Sequence, residues 1–74
     1  MQEIRIRIGE ILLRKRLTKT ELARRIGAAK PLVNQICNGN VRPSRRRATQ
    51  IAEELGRDPG ELFQEWEMFD EVVA

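Results

Sequence analysis

Histidine and tyrosine are missing from the 74 residues, and cysteine occurs once, at Cys37. These shortages exclude much of the usual chemistry. Without an imidazole, the lone thiol has no partner to activate it as a nucleophile. A single cysteine forms no internal disulfide, and on its own it is normally a small, partly buried hydrophobe rather than a redox sensor. There is no GxGxxG, P-loop or CxxC pattern and no cluster with zinc-ligand spacing. A protein that is not an enzyme, with no cofactor and no metal, is therefore expected. No apolar run approaches the about 20 residues of a membrane span. The opening MQEIRIRIGE lacks the apolar core of a secretion signal. These features point to a soluble cytoplasmic protein. Its length suits one small domain over residues 1–74, which would bury roughly 60% of its unfolded surface.

What is present is charge, and it is divided. The formal net charge is +3. Residues 1–47 hold thirteen Lys and Arg against the three acids Glu3, Glu10 and Glu21, a net +10. Residues 48–74 hold only Arg57 against eight acids, a net −7. Segregation of this kind suggests a basic face that meets a polyanion. The plainer alternative is a set of solvated helices that differ in sign.

The stretch from Leu17 to Asn40, LTKTELARRIGAAKPLVNQICNGN, has the clearest local grammar. Thr18 is an N-cap residue, and Glu21 three positions on completes the pattern of a capping box. A helix over Lys19 to Ile26 follows, and Gly27 ends it in the left-handed conformation. A second helix is expected over Lys30 to Cys37, with Leu32, Val33 and Ile36 as a buried stripe. Asn38-Gly39 closes it with a turn signal. Two helices joined by so short a turn make a helix-turn-helix, which can present the outer face of its second helix to the DNA major groove.

Elsewhere the signals are mixed. Ile4, Ile6 and Ile8 alternate with Arg5 and Arg7 like a strand, yet Ile4, Ile8, Ile11 and Leu12 fit a helical stripe. The favoured expectation is a helix over about residues 7–16 behind a short extended or frayed lead. Arg14, Lys15 and Arg16 suit the helix dipole in its last turn. Ser44 is a good N-cap for a fourth helix running to Leu55, with Gly56 as its stop. Arg45, Arg46 and Arg47 fall in its first turn, the wrong end of the dipole for cations. A phosphate beside them would convert that local fault into an asset. Asp58-Pro59-Gly60-Glu61 starts a fifth helix, and Leu62 and Phe63 close the core.

Residues Ile8 to Phe63 resemble the phage repressor/Cro-like helix-turn-helix family, often called the XRE family. The matching residues are Leu17-Thr18, Glu21-Leu22-Ala23, Gly27, Val33, Ile36, Asn38-Gly39, Pro43-Ser44, Ile51-Ala52, Leu55-Gly56 and Glu61-Leu62-Phe63. The resemblance implies an all-α, five-helix, lambda-repressor-like fold that binds double-stranded DNA, usually as a dimer. It places Lys30, Pro31, Asn34 and Gln35 where relatives contact bases or adjacent backbone. Asn and Gln can bond adenine bidentately, and Lys can donate to guanine. It also places Lys19 and Asn38 where relatives contact the DNA backbone. Arg42, Arg45, Arg46 and Arg47 are expected to contact phosphates on the charge argument above. Two positions depart from the family pattern. Ala29 stands where an N-cap Ser or Thr is common, and Pro31 stands where a polar base-contacting side chain is common.

The three aromatics, Phe63, Trp66 and Phe69, all lie past residue 62. Leu62, Trp66, Phe69 and Val73 step in a heptad-like manner. Trp66, Phe69 and Val73 are the expected homodimer contact, with folding back over the domain's own core as the alternative. The function expected is sequence-specific regulation of transcription, by repression. The alternatives are a protein-interaction module of the same fold without base readout, and the antitoxin of a toxin–antitoxin pair. No segment suggests a small-molecule ligand.

Overall fold

The computed structural model describes residues 2–66. It contains five α-helices and, among the described residues, no strand: α1 (Gln2–Lys15), α2 (Lys19–Ile26), α3 (Lys30–Cys37), α4 (Arg45–Leu55) and α5 (Pro59–Leu62). The all-α, five-helix expectation holds for these residues.

The first helix corrects the sequence reading at its start. It begins at Gln2 rather than near residue 7, so the lead is helical and not extended. Ile4, Ile8, Ile11 and Leu12 form its buried stripe, whereas Ile6 is 54% exposed. β-Branched residues are slightly unfavourable in helices. Burying a large aliphatic side chain gains about 1.5–3 kcal/mol, so the four buried residues outweigh that preference. The stripe packs against α3, α4 and α5. Arg16 ends the helix in the left-handed region at φ 53, and Leu17 N–H donates to Leu12 O at 2.9 Å. That conformation costs an L-residue about 1–2 kcal/mol. Burial of the adjoining Leu17 offsets it.

The caps of α2 form as its sequence predicts, with one exception. Thr18 Oγ1 accepts from Glu21 N–H at 3.0 Å, and Gly27 closes the other end at φ 68. The reciprocal half of the capping box is not what Glu21 makes. Its carboxylate instead accepts from Arg24 at 2.6 Å and lies 3.5 Å from Arg25. In α3 the buried residues are Val33, Ile36 and Cys37, while Leu32 is 38% exposed. At 100° per residue, Leu32 lies about a quarter turn from the centre of that arc. Cys37, not Leu32, completes the stripe. Both ends of α4 are capped, by Ser44 Oγ on Arg47 N–H at 3.1 Å and by Gly56 at φ 70. Asp58 caps the short α5 through Gly60 and Glu61 N–H.

Beneath these helices is one core, with Phe63, Leu22, Val33 and Ile51 fully buried in it. The segment after α5 is fastened to α1. Arg7 donates to Leu62 O at 2.9 Å and to both Glu65 carboxylate oxygens at 2.9 and 2.7 Å. Those hydrogen bonds hold the Glu65 carboxyl below its ordinary pKa. Trp66 is half-buried against the domain's own core. Phe69 and Val73 lie outside the described residues.

Candidate nucleic-acid interface

The short turn between α2 and α3 fixes the two helices against each other. Ala28 N–H donates to Ala23 O at 2.9 Å, just past the Gly27 cap. Leu22 and Ala23 pack beneath α2, and Val33, Ile36 and Cys37 beneath α3. With those residues facing inward, Pro31, Asn34 and Gln35 face away from the core, and Lys30 flanks them. All four are exposed. The result is a short face of two amides, one ammonium and a proline ring, free of acidic side chains.

At one edge of this face the two helices are joined by a polar contact that spacing alone does not reveal. Lys19 Nζ, in the first turn of α2, donates to Asn38 Oδ1 at 3.0 Å, at the C-terminal cap of α3. The structure thus brings together two residues expected to meet the DNA backbone. Around them, the first N–H groups of α2 and its dipole favour an anion. The amide of Asn38 keeps its NH2 as a donor while its oxygen takes the lysine.

The arginines after α3 divide into different roles. Arg42 is exposed, and its guanidinium carbon stands 5.7 Å from the centroid of the Trp66 ring. Arg45 and Arg46 are exposed in the first turn of α4. Arg47 is half-buried and turned inward. It donates to Ile26 O at 3.1 Å and to Gln50 Oε1 at 2.9 Å. Its guanidinium thereby serves a carbonyl in the last turn of α2, where a cation also suits the dipole. Arg24 and Arg25 are paired on the surface with Glu21, and Arg25 also with Glu54.

Burial pushes the Cys37 thiol up to about 11, against an opposing pull from Lys19. A side chain 1% exposed and held as the thiol is packing material, not a reactive group. Sequence reasoning missed the Lys19–Asn38 bond, the inward turn of Arg47, the Arg42–Trp66 contact and the Arg7–Glu65 clamp. No local pattern encodes any of them.

Two short helices packed through one turn, with an exposed polar face on the second, define a helix-turn-helix DNA-binding module. The family model described as "Cro/C1-type HTH DNA-binding domain" matches residues 7–64. The chain belongs to that family, the XRE family, and DNA binding follows from membership. No curated protein and no solved structure matches it. Among the described residues, no helix is long and apolar enough to cross a membrane.

Proposed function

We propose that this chain is a sequence-specific transcriptional repressor of the cytoplasm that reads the major groove with α3. The observation that carries the reading is the exposed face of Lys30, Pro31, Asn34 and Gln35 beside the Lys19–Asn38 pair. Asn34 and Gln35 supply donor and acceptor together, the arrangement that distinguishes adenine from other bases. Lys30 donates to guanine or to a phosphate. Lys19, Asn38, Arg42, Arg45 and Arg46 fix the register on the backbone, where contacts position the protein without specifying sequence. Arg47 supports that set by tying α4 to α2 through Nη1, and its remaining N–H groups are donors for a phosphate.

In this reading the protein acts as a dimer, with two copies of α3 in successive major grooves and half-sites about one helical turn apart. Phe69 and Val73 supply the apolar contact. Trp66 contributes at most an edge, because its ring already serves its own domain. Bound at a promoter, such a dimer represses by occupancy.

The experiment is selection of duplexes from a random pool, followed by titration of the selected sequence and of random DNA. The wild type should favour the selected site at least tenfold and show two-fold symmetry in it. Each good bidentate contact discriminates by about 1–3 kcal/mol, so Asn34→Ala with Gln35→Ala should abolish the preference while leaving random-DNA binding nearly intact. Equal binding of all sequences by the wild type would refute base readout.

A further inference from the structure

We propose that Trp66 is a positioning residue for DNA binding: its ring holds Arg42 in place to meet a phosphate, and the Arg7–Glu65 clamp holds the ring. The inference rests on the reading above in which Arg42 contacts the backbone.

Arg42 lies in the connection between α3 and α4, outside any helix, and its side chain is exposed. An arginine in such a place is free to occupy many rotamers, and ordering it would count against binding. The Trp66 ring removes part of that freedom. At 5.7 Å the guanidinium is within range of an attractive contact with the ring face. Such a contact engages the ring face and leaves the N–H edges of the guanidinium as donors. A phosphate oxygen can take them without displacing the tryptophan.

The ring itself is held from the other side. The backbone N–H of Trp66 donates to Phe63 O at 2.8 Å, the neighbouring Glu65 is gripped bidentately by Arg7, and the indole packs on the core. Among the described residues, its Nε1 is buried with no hydrogen-bond partner. A buried unpaired donor is unfavourable, and phenylalanine would fill most of this space without one. Tryptophan has the compensating property that its face attracts cations best of the three aromatic types. The unsatisfied N–H is thus accounted for by what the face does for Arg42.

The test is a double-mutant cycle on binding to a fluorescent random duplex across a range of salt, using the full chain and with thermal melts of every variant. Arg42→Ala should lower affinity and reduce the slope of log K against log salt by about 0.9, the loss of one phosphate contact. Trp66→Leu should weaken binding about three- to tenfold when Arg42 is present, on the scale of an exposed to partly desolvated cation–ring contact. With Arg42→Ala already in place, it should weaken binding no further. Trp66→Phe keeps the bulk, so it remains informative if the leucine variant fails to fold. It should lose a smaller share of affinity, again only with Arg42 present, and should melt no lower than Trp66→Leu. Equal losses in both backgrounds would assign Trp66 a purely structural role and overturn the inference while Arg42 kept its contact. An Arg42→Ala variant with unchanged affinity and slope would remove the phosphate contact itself, and the inference with it.

Discussion

The helices α2 and α3 are both eight residues long and stand side by side, but they are held in different ways. α2 is fixed by its own ends: the Thr18 hydroxyl at the start and left-handed Gly27 at the finish. α3 has Ala29 at its start with no side-chain hydrogen bond, and Asn38 in the right-handed region at its finish. What holds α3 is beneath it, in Val33, Ile36 and Cys37, each at most 1% exposed. The helix assigned to reading bases is thus defined by tertiary packing, and the helix that supports it by local sequence. A short helix has little stability of its own in water. The packing under α3 therefore carries more of its order than the packing under α2 does.

The largest expected effect comes from removing that packing. Ile36→Ala should cost about 2–5 kcal/mol from lost transfer energy and the cavity left behind. In a domain of this size each kcal/mol moves Tm by about 4–8 °C. Leu22→Ala on α2 falls in the same range, but the two should differ in the folded state that remains. Amides of α3 should lose hydrogen-exchange protection in Ile36→Ala, whereas those of α2 should keep theirs in Leu22→Ala because the caps persist. Similar protection patterns in the two variants would remove the distinction between the helices.

The next effect tests the caps directly. Gly27→Ala should cost about 1–2 kcal/mol, the penalty of a Cβ in the left-handed region. A Cβ at Gly27 meets nothing within 4 Å, so the loss is conformational and not steric. Chemical denaturation should show a lower midpoint with an unchanged m-value. A midpoint equal to that of the wild type would mean that Gly27 can be replaced without strain.

The same contrast explains what the sequence made legible. Caps are local, so both ends of α2, both ends of α4 and the start of α5 could be read residue by residue. The start of α1 could not, because Ile4, Ile6 and Ile8 satisfy a period of two and a period of 3.6 together. Only the neighbours that bury Ile4 and Ile8 and leave Ile6 in water decide between them. Leu32 was read into the buried stripe for a related reason: hydrophobicity ranks leucine first, but the centre of the buried arc is set by what α3 packs against. Within the candidate site, Asn34 and Gln35 were accessible to periodicity because they lie about 100° and about 160° around the helix from Val33, outside the buried arc. The Lys19–Asn38 bond, the turn of Arg47 toward Ile26 and the seat of Arg42 on Trp66 join separate segments. Charge patterning marks such arginines as basic and does not say which of them look inward.

The smallest expected effect is a repair, and it sharpens the comparison most. Ala29→Ser would give α3 the cap that α2 already has. At α2 and α4 the capping hydroxyl accepts from the third helical residue, Glu21 and Arg47 respectively. At α3 the second helical residue is Pro31, which has no N–H, so Leu32 N–H is the available donor. Leu32 also has no carboxylate to return the bond, so the repair is a single hydrogen bond and not a capping box. The expected gain is about 0.5–1 kcal/mol, and Thr18→Ala should lose a similar amount from α2. If the missing cap is only a stability fault, Ala29→Ser raises the denaturation midpoint and leaves the salt dependence and sequence preference of DNA binding unchanged. If the N–H groups at the start of α3 are used on DNA, the new hydroxyl competes for one of them. The midpoint then rises while DNA affinity falls, and Ala29 is explained by what the uncapped end binds.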